Sequence, residues 1–161
     1  MTTIYLSLGS NVGDRAENIA QAVSALGAYG ICVTKQSSLY ETEPVEFLEQ
    51  NWFLNCVVEA TTDCTAELLM KTLLKIERAL GRQRRVPKGP RVIDIDILLF
   101  GSDIMSTPEI DIPHPRMGER RFVLVPFTEI APDAFHPVLK KTIAALLAGT
   151  PDRSEVRRVT E

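Results

Sequence analysis

The chain has 161 residues, 45% of them hydrophobic and 24% charged, which suits one compact domain with a continuous core. A formal net charge of -3 argues against a dedicated nucleic-acid binder, which is normally basic. No apolar run reaches membrane-spanning length.

Thr3 to Ser10 alternates well enough for a first strand and ends in the turn-forming GSNVGD. Asp14 is an N-cap candidate for a helix in which Ile19, Val23 and Leu26 share a face, stopped by the Gly27 to Gly30 region. Ile31 to Tyr40 is β-branched enough for a second strand. Thr42 to Asn51 lacks a period and reads as a loop, and Trp52 to Thr61 forms a third strand. Thr65 can cap a second helix with Leu69, Leu73, Ile76 and Leu80 on one face, ended by Gly81. A basic loop, Arg82 to Arg91, leads into a fourth strand, Val92 to Phe100. The order predicts an α+β, ferredoxin-like β-α-β-β-α-β core, an antiparallel sheet with helices on one face. The Pro-punctuated remainder predicts short helical turns over the sheet edge and a last helix from Lys141 to Ala148. Residues 1–150 are read as a single catalytic domain, and 151–161 as a polar, mobile tail.

The chemistry begins in GPRVIDIDILLFG, Gly89 to Gly101. Alternation puts Ile93, Ile95, Ile97 and Leu99 on one face and Asp94, Asp96, Leu98 and Phe100 on the other. Carboxylates at i and i+2 stand about 7 Å apart at Cα and can converge on a hard cation or bracket a pair. An isolated pair of this kind is otherwise a solvated sheet face. Here the apolar continuation of that face, the GPR turn and the basic loop favour a metal–phosphate site. From Arg78 to Arg91 the chain carries Arg78, Arg82, Arg84, Arg85, Lys88 and Arg91 and no acid. Arginine suits bidentate phosphate recognition, whereas a plain charged loop needs no such bias. There is no GxxxxGK[ST] sequence, so arginines and metal would have to hold a nucleotide.

Other residues are less specific by themselves. His114, in DIPHPR, is either structural or functional. Phe53 reads as core or as a stacking ring, and Asn55 beside it as a buried amide or a reader of a heterocycle edge. Cys32, Cys56 and Cys64 form no CxxC pair and, with two histidines, no zinc signature. Their odd number, with no signal peptide in view, predicts reduced thiols and a cytoplasmic setting.

The motifs LSLGSNVGD, SSLYETEPV, FLNCVV, IERALGRQR, GPRVIDIDILLFG and IPHPRMGERRFVLVP, over residues 4–136, resemble the 6-hydroxymethyl-7,8-dihydropterin pyrophosphokinases. The resemblance implies pyrophosphate transfer from ATP to a pterin alcohol in folate synthesis. It implies that Asp94 and Asp96 bind two Mg2+ ions and that Arg82, Arg84 and Arg91 serve the triphosphate. By the same token Glu77, His114 and Arg120 contribute to the nucleotide site, and the backbone near Ile97 and Asp111 meets the adenine. Phe53 and Phe122 would sandwich the pterin, while Asn55 and backbone groups around Thr42, Pro44 and Val45 read its edge. Asp94, Asp96, Arg82 and Arg91 form the implied catalytic set. The implied partners are ATP and the pterin, with no nucleic acid and no membrane, and the chain is expected to be a monomer. Lys88 and Phe53 stand where relatives often have tryptophan and tyrosine. A non-catalytic ligand-binding module, an RNA-binding domain of the same fold and a nucleotidyltransferase with another acceptor are the competing classes.

Overall fold

The computed structural model describes residues 1–43, 51–81 and 92–159. In chain order the elements are β1 (Thr2–Ser10), α1 (Arg15–Ala28), β2 (Cys32–Gln36), β3 (Tyr40–Thr42), β4 (Phe53–Thr62), α2 (Ala66–Ala79) and β5 (Asp94–Phe100). There follow β6 (Met105–Ser106), β7 (Asp111–Ile112), a 3-10 turn (Met117–Glu119), α3 (Arg121–Ile130), β8 (Phe135–His136), β9 (Lys141–Thr142), α4 (Ile143–Gly149) and β10 (Val156–Arg158).

The main sheet runs β10-β3-β4-β1-β5, with β2 also paired to β4. With β2 and β3 counted as one interrupted strand, the first four strands have the antiparallel ferredoxin-like order that the sequence predicts. The interruption falls at Ser37. Its hydroxyl, rather than a backbone carbonyl, accepts the Val57 N–H at 3.0 Å, so the ladder breaks for a few residues and resumes at Tyr40.

Both predicted caps form: Asp14 accepts from the Glu17 N–H at 3.1 Å and Thr65 from the Leu68 N–H at 3.2 Å. Ile19, Ala22 and Leu26 of α1 and Leu69, Leu73 and Ile76 of α2 are buried against Ile4, Leu6, Leu8, Ile95 and Ile97. Each buried leucine or isoleucine among these contributes about 1.5–3 kcal/mol by leaving water. Gly81 ends α2 at φ +96, a conformation that favours glycine.

Three expectations are corrected. Helices cover both faces: α3 and α4 bury Val123, Leu124, Phe127, Ile143 and Leu146 against Val57, Leu98 and Leu99 on the side opposite α1 and α2. Pro126 lies inside α3 and lacks the N–H that would close onto the Phe122 carbonyl, yet packing holds the helix. Second, Leu99 and Phe100 exchange faces. The register steps from Leu6↔Ile97 to Tyr5↔Leu99, leaving Leu98 as the extra residue of a β-bulge. Leu98 and Leu99 therefore both pack toward α3, and Phe100 joins the opposite core with Ile97. Third, the tail holds an edge strand: β10 pairs with β3, Val156↔Thr42 through Arg158↔Tyr40.

Candidate active site

The polar side chains gather on the α3 face of the sheet, toward the Gly9 end of β1. Cross-strand partners share a face, so the pairings Tyr40↔Asn55, Asn55↔Gly9 and Gly9↔Asp94 define one transverse row. The neighbouring row is Val57↔Ser7↔Asp96, and Thr42↔Phe53 flanks the other side. Asp94 and Asp96 are half-buried on this face, with Ile95 between them turned into the core.

Gly9 is the floor of the row. A Cβ there would lie 2.4 Å from Asn55 Oδ1, closer than atoms tolerate. Asn55 is buried, and its Nδ2 donates to Thr42 Oγ1 at 2.6 Å, which orients its carboxamide. Only a residue without a side chain between Asn55 and Asp94 lets that amide lie across β1. The glycine of LSLGS is the sequence signal for this, though its spatial neighbours become known only with the register.

The outer border of β5 is held from two directions. Glu77, 3% exposed, accepts the Ile95 N–H at 2.7 Å from α2, fixing the backbone between the two aspartates. The bulged Leu98 offers its carbonyl to the His114 N–H at 3.0 Å. The bulge thereby docks the PHP segment beside the acids. His114 Nδ1 accepts from the Arg116 N–H at 3.2 Å, which assigns the proton of the neutral ring to Nε2. Burial, with the Arg120 and Arg116 charges, lowers its pKa to about 4 against the opposing pull of Asp94 and Asp111. It is a neutral donor at pH 7.

Phe122 opens α3, half-exposed, and the Arg120 guanidinium sits 5.4 Å from its ring centroid. Phe53 is half-exposed at the start of β4. Ile97 is buried in the α1/α2 core, so only its backbone can serve a ligand. Asp111 is exposed in β7. Thus Thr42, Phe53, Asn55, Asp94 and Asp96 share one face. His114 adjoins them, and the Glu77 and Ile97 side chains are buried behind it. Pro44, Val45, Arg82, Arg84 and Arg91 lie outside the described residues, as does Lys88.

Sequence reasoning missed the tie between α3 and β3. Glu129 accepts the Ser38 N–H at 3.0 Å, the Ser38 hydroxyl at 3.1 Å and the Tyr40 hydroxyl at 2.5 Å. Burial raises its pKa, but the Tyr40 and Ser38 hydrogen bonds, with the Arg158 charge, outweigh that and hold the carboxyl low. Burial and Glu129 together push Tyr40 up to about 12.

Among the described residues no three His, Cys, Asp or Glu side chains cluster to hold a metal. Two half-buried carboxylates on one strand face still fit Mg2+, which takes one or two protein carboxylates and completes its shell with water and substrate phosphates.

Fold and site define an α+β domain of the ferredoxin-like kind, presenting paired carboxylates beside a buried amide and half-exposed aromatic rings. The profile of one family, 7,8-dihydro-6-hydroxymethylpterin-pyrophosphokinase (HPPK), matches residues 5–132. The chain is 47% identical over 127 residues to 2-amino-4-hydroxy-6-hydroxymethyldihydropteridine pyrophosphokinase of Bacillus subtilis, covering 78% of this chain and 76% of that one. It is 48% identical over 134 residues to the protein of the same name from Methylorubrum extorquens, covering 83% and 85%. The chain belongs to the HPPK family. It also matches the folic acid synthesis protein fol1 of Pneumocystis carinii at 43% identity, over 88% of this chain but only 19% of that longer protein. The crystal structure of wild-type Plasmodium falciparum HPPK-DHPS superposes with a TM-score of 0.69 at 17% identity, over 91% of this chain and 44% of that one, a likeness of fold.

Proposed function

We propose that the chain transfers pyrophosphate from ATP to the hydroxymethyl group of 6-hydroxymethyl-7,8-dihydropterin, releasing AMP, as a step of folate biosynthesis. The observation that carries this reading is the row Asn55–Gly9–Asp94 with Asp96 beside it. A heterocycle reader and a metal-competent acid pair share one sheet face, a single strand apart.

The alcohol oxygen attacks the β-phosphorus of ATP, the bond to the oxygen bridging the α- and β-phosphorus breaks, AMP leaves with that oxygen, and the alcohol's proton is released to solvent. Such transfers ask chiefly for positioning and charge stabilisation. Asn55 and the backbone around Thr42, Pro44 and Val45 read the pterin edge, and Phe53 and Phe122 stack on its faces. Asp94 and Asp96 would hold Mg2+, taken as two ions, and the metal would supply charge neutralisation at the phosphates and acidify the alcohol. Arg82, Arg84, Arg91 and Arg120 neutralise the triphosphate. His114, already neutral, keeps its proton at Nε2 and donates it in a hydrogen bond to a phosphate oxygen. Glu77 supports the nucleotide site through the β5 backbone, and the main chain near Ile97 and Asp111 meets the adenine. The same reading takes the chain as a cytoplasmic monomer with residues 1–150 as its one catalytic domain. No described helix is long and apolar enough to cross a membrane.

The test is AMP release from MgATP with and without the pterin, for the native protein and Asp96→Ala. Pterin-dependent AMP, abolished in the variant, supports the assignment. Folded native protein that releases none sinks it.

A further inference from the structure

The family match ends at residue 132, so nothing in it assigns a role to the last stretch of chain. Yet that stretch contacts Arg121, next to Phe122, and Thr42 and Trp52, next to Asn55 and Phe53. Asp152 Oδ2 accepts the Arg121 N–H at 2.8 Å, at the first residue of α3 and next to Phe122. Its Oδ1 accepts from the Ser154 N–H at 2.9 Å and the Ser154 hydroxyl at 2.6 Å, while Arg121 Nε donates to the Ser154 carbonyl at 3.1 Å. Two residues on, Val156 pairs with Thr42, whose hydroxyl orients Asn55. The Glu155 N–H donates to Glu43 Oε1 at 2.8 Å, and the Arg157 guanidinium stacks 4.6 Å from the Trp52 ring centroid, beside Phe53.

Phe122 on one side and the Thr42–Asn55–Phe53 group on the other are carried by separate elements. Attachments to Arg121, Thr42, Glu43 and Trp52, all made by residues 152–157, link those elements to each other. We propose that Asp152 is a positioning residue for the flat heterocycle, with residues 152–158 as a strap that sets the spacing between the Phe122 wall and the Thr42–Asn55 wall. This rests on the function proposed above. Asp152 touches neither substrate. It acts through the first turn of α3, because an unheld Arg121 amide lets that turn fray and carries the Phe122 ring with it.

The decisive measurement is steady-state kinetics of the full chain and Asp152→Ala with each substrate varied, alongside amide hydrogen exchange at Arg121 to Val123. The expected result is a KM for the pterin raised about five- to tenfold, the equivalent of one lost cap, with kcat and the KM for MgATP within about twofold. Exchange at those amides accelerates in the same variant. Asp152→Asn, which keeps one oxygen for the Arg121 amide but turns its NH2 toward the Ser154 donors, brings the pterin KM part of the way back to native. An unchanged pterin KM in folded Asp152→Ala whose Arg121 amide has lost protection overturns the inference. So does an equal loss in both KM values and kcat, which is general loosening. Should Asp152→Ala fail to fold, Ser154→Ala takes its place: it removes one donor to Asp152, and a smaller rise in pterin KM is expected, while no rise overturns the inference. Native protein without pterin-dependent AMP release would instead overturn the function reading and this inference with it, an outcome visible before any variant is made.

Discussion

The two faces of the sheet are built from alternate residues of the same strands, yet they are put to opposite uses. Toward α1 and α2, Ile4, Leu6, Leu8, Ile95 and Ile97 form an unbroken apolar layer. On the other side Tyr5, Val57, Leu98 and Leu99 are sealed by α3 and α4 at one end. At the other end the same alternation brings Ser7, Gly9 and Asn55 beside the half-buried Asp94 and Asp96. The closed face supplies the rigidity that lets two carboxylates and an oriented amide stand ready without collapsing the strands that carry them. Stability and chemistry are separated by one residue of parity.

Neutralising the acids should abolish the chemistry while leaving the apolar layer intact. Asp96→Ala, and Asp94→Ala likewise, should lower pterin-dependent AMP release by about a thousandfold or more, with circular dichroism and melting temperature close to native. Loss of the fold in both variants would show that the two faces are not independent. Asn55→Ala comes next: with the amide gone, the pterin KM should rise about ten- to a hundredfold, the range for a lost buried hydrogen-bonding reader. An effect on the MgATP KM of the same size would argue against Asn55 as the pterin's partner.

Gly9→Ala crowds the Asn55 amide while leaving both aspartates in place. The added methyl meets Asn55 Oδ1 at 2.4 Å, so about 1–3 kcal/mol of destabilisation in urea unfolding is expected, along with weaker pterin binding. Gly9→Ala combined with Asn55→Ala should recover the stability term, because the clash partner is gone.

The smallest effect is expected at Glu129. Its folded-state pKa is depressed, so the stability it adds is present above the ordinary carboxylate range and is lost as pH falls through the folded value. Glu129→Gln should lower stability at pH 7 by about 1 kcal/mol and should flatten the loss on going from pH 7 to about pH 3. An acid limb as steep as that of the native protein would place the titrating group elsewhere.

Local signals were the legible ones. Asp14 and Thr65 are short polar residues ahead of helical periodicity, and each caps as expected because capping needs only three residues of chain. The Asp94/Asp96 pair was equally visible, since strand parity fixes its common side. The bulge at Leu98 was not: an extra residue in a run of Ile, Leu and Phe leaves no trace in hydrophobicity, and it flips everything after it. Nor was β10, whose exposed Arg157 and Arg158 read as a solvated tail because an edge strand has little apolar pattern to show. The Glu129–Tyr40 contact joins residues 89 apart, and such partners are set by packing alone.

The borders of the sheet bear on how these molecules behave in a crowd. A bare strand edge is a template on which another copy can add itself, and growth of that kind does not close. On one border lie two short strands, β2 of five residues and β10 of three, the latter with two arginines, poor templates for a neighbour. On the other, Glu77 occupies the Ile95 N–H and the PHP segment occupies the Leu98 carbonyl, so an incoming strand finds one donor and one acceptor already taken. The contacts that steady the aspartates also blunt a surface along which the protein could polymerise.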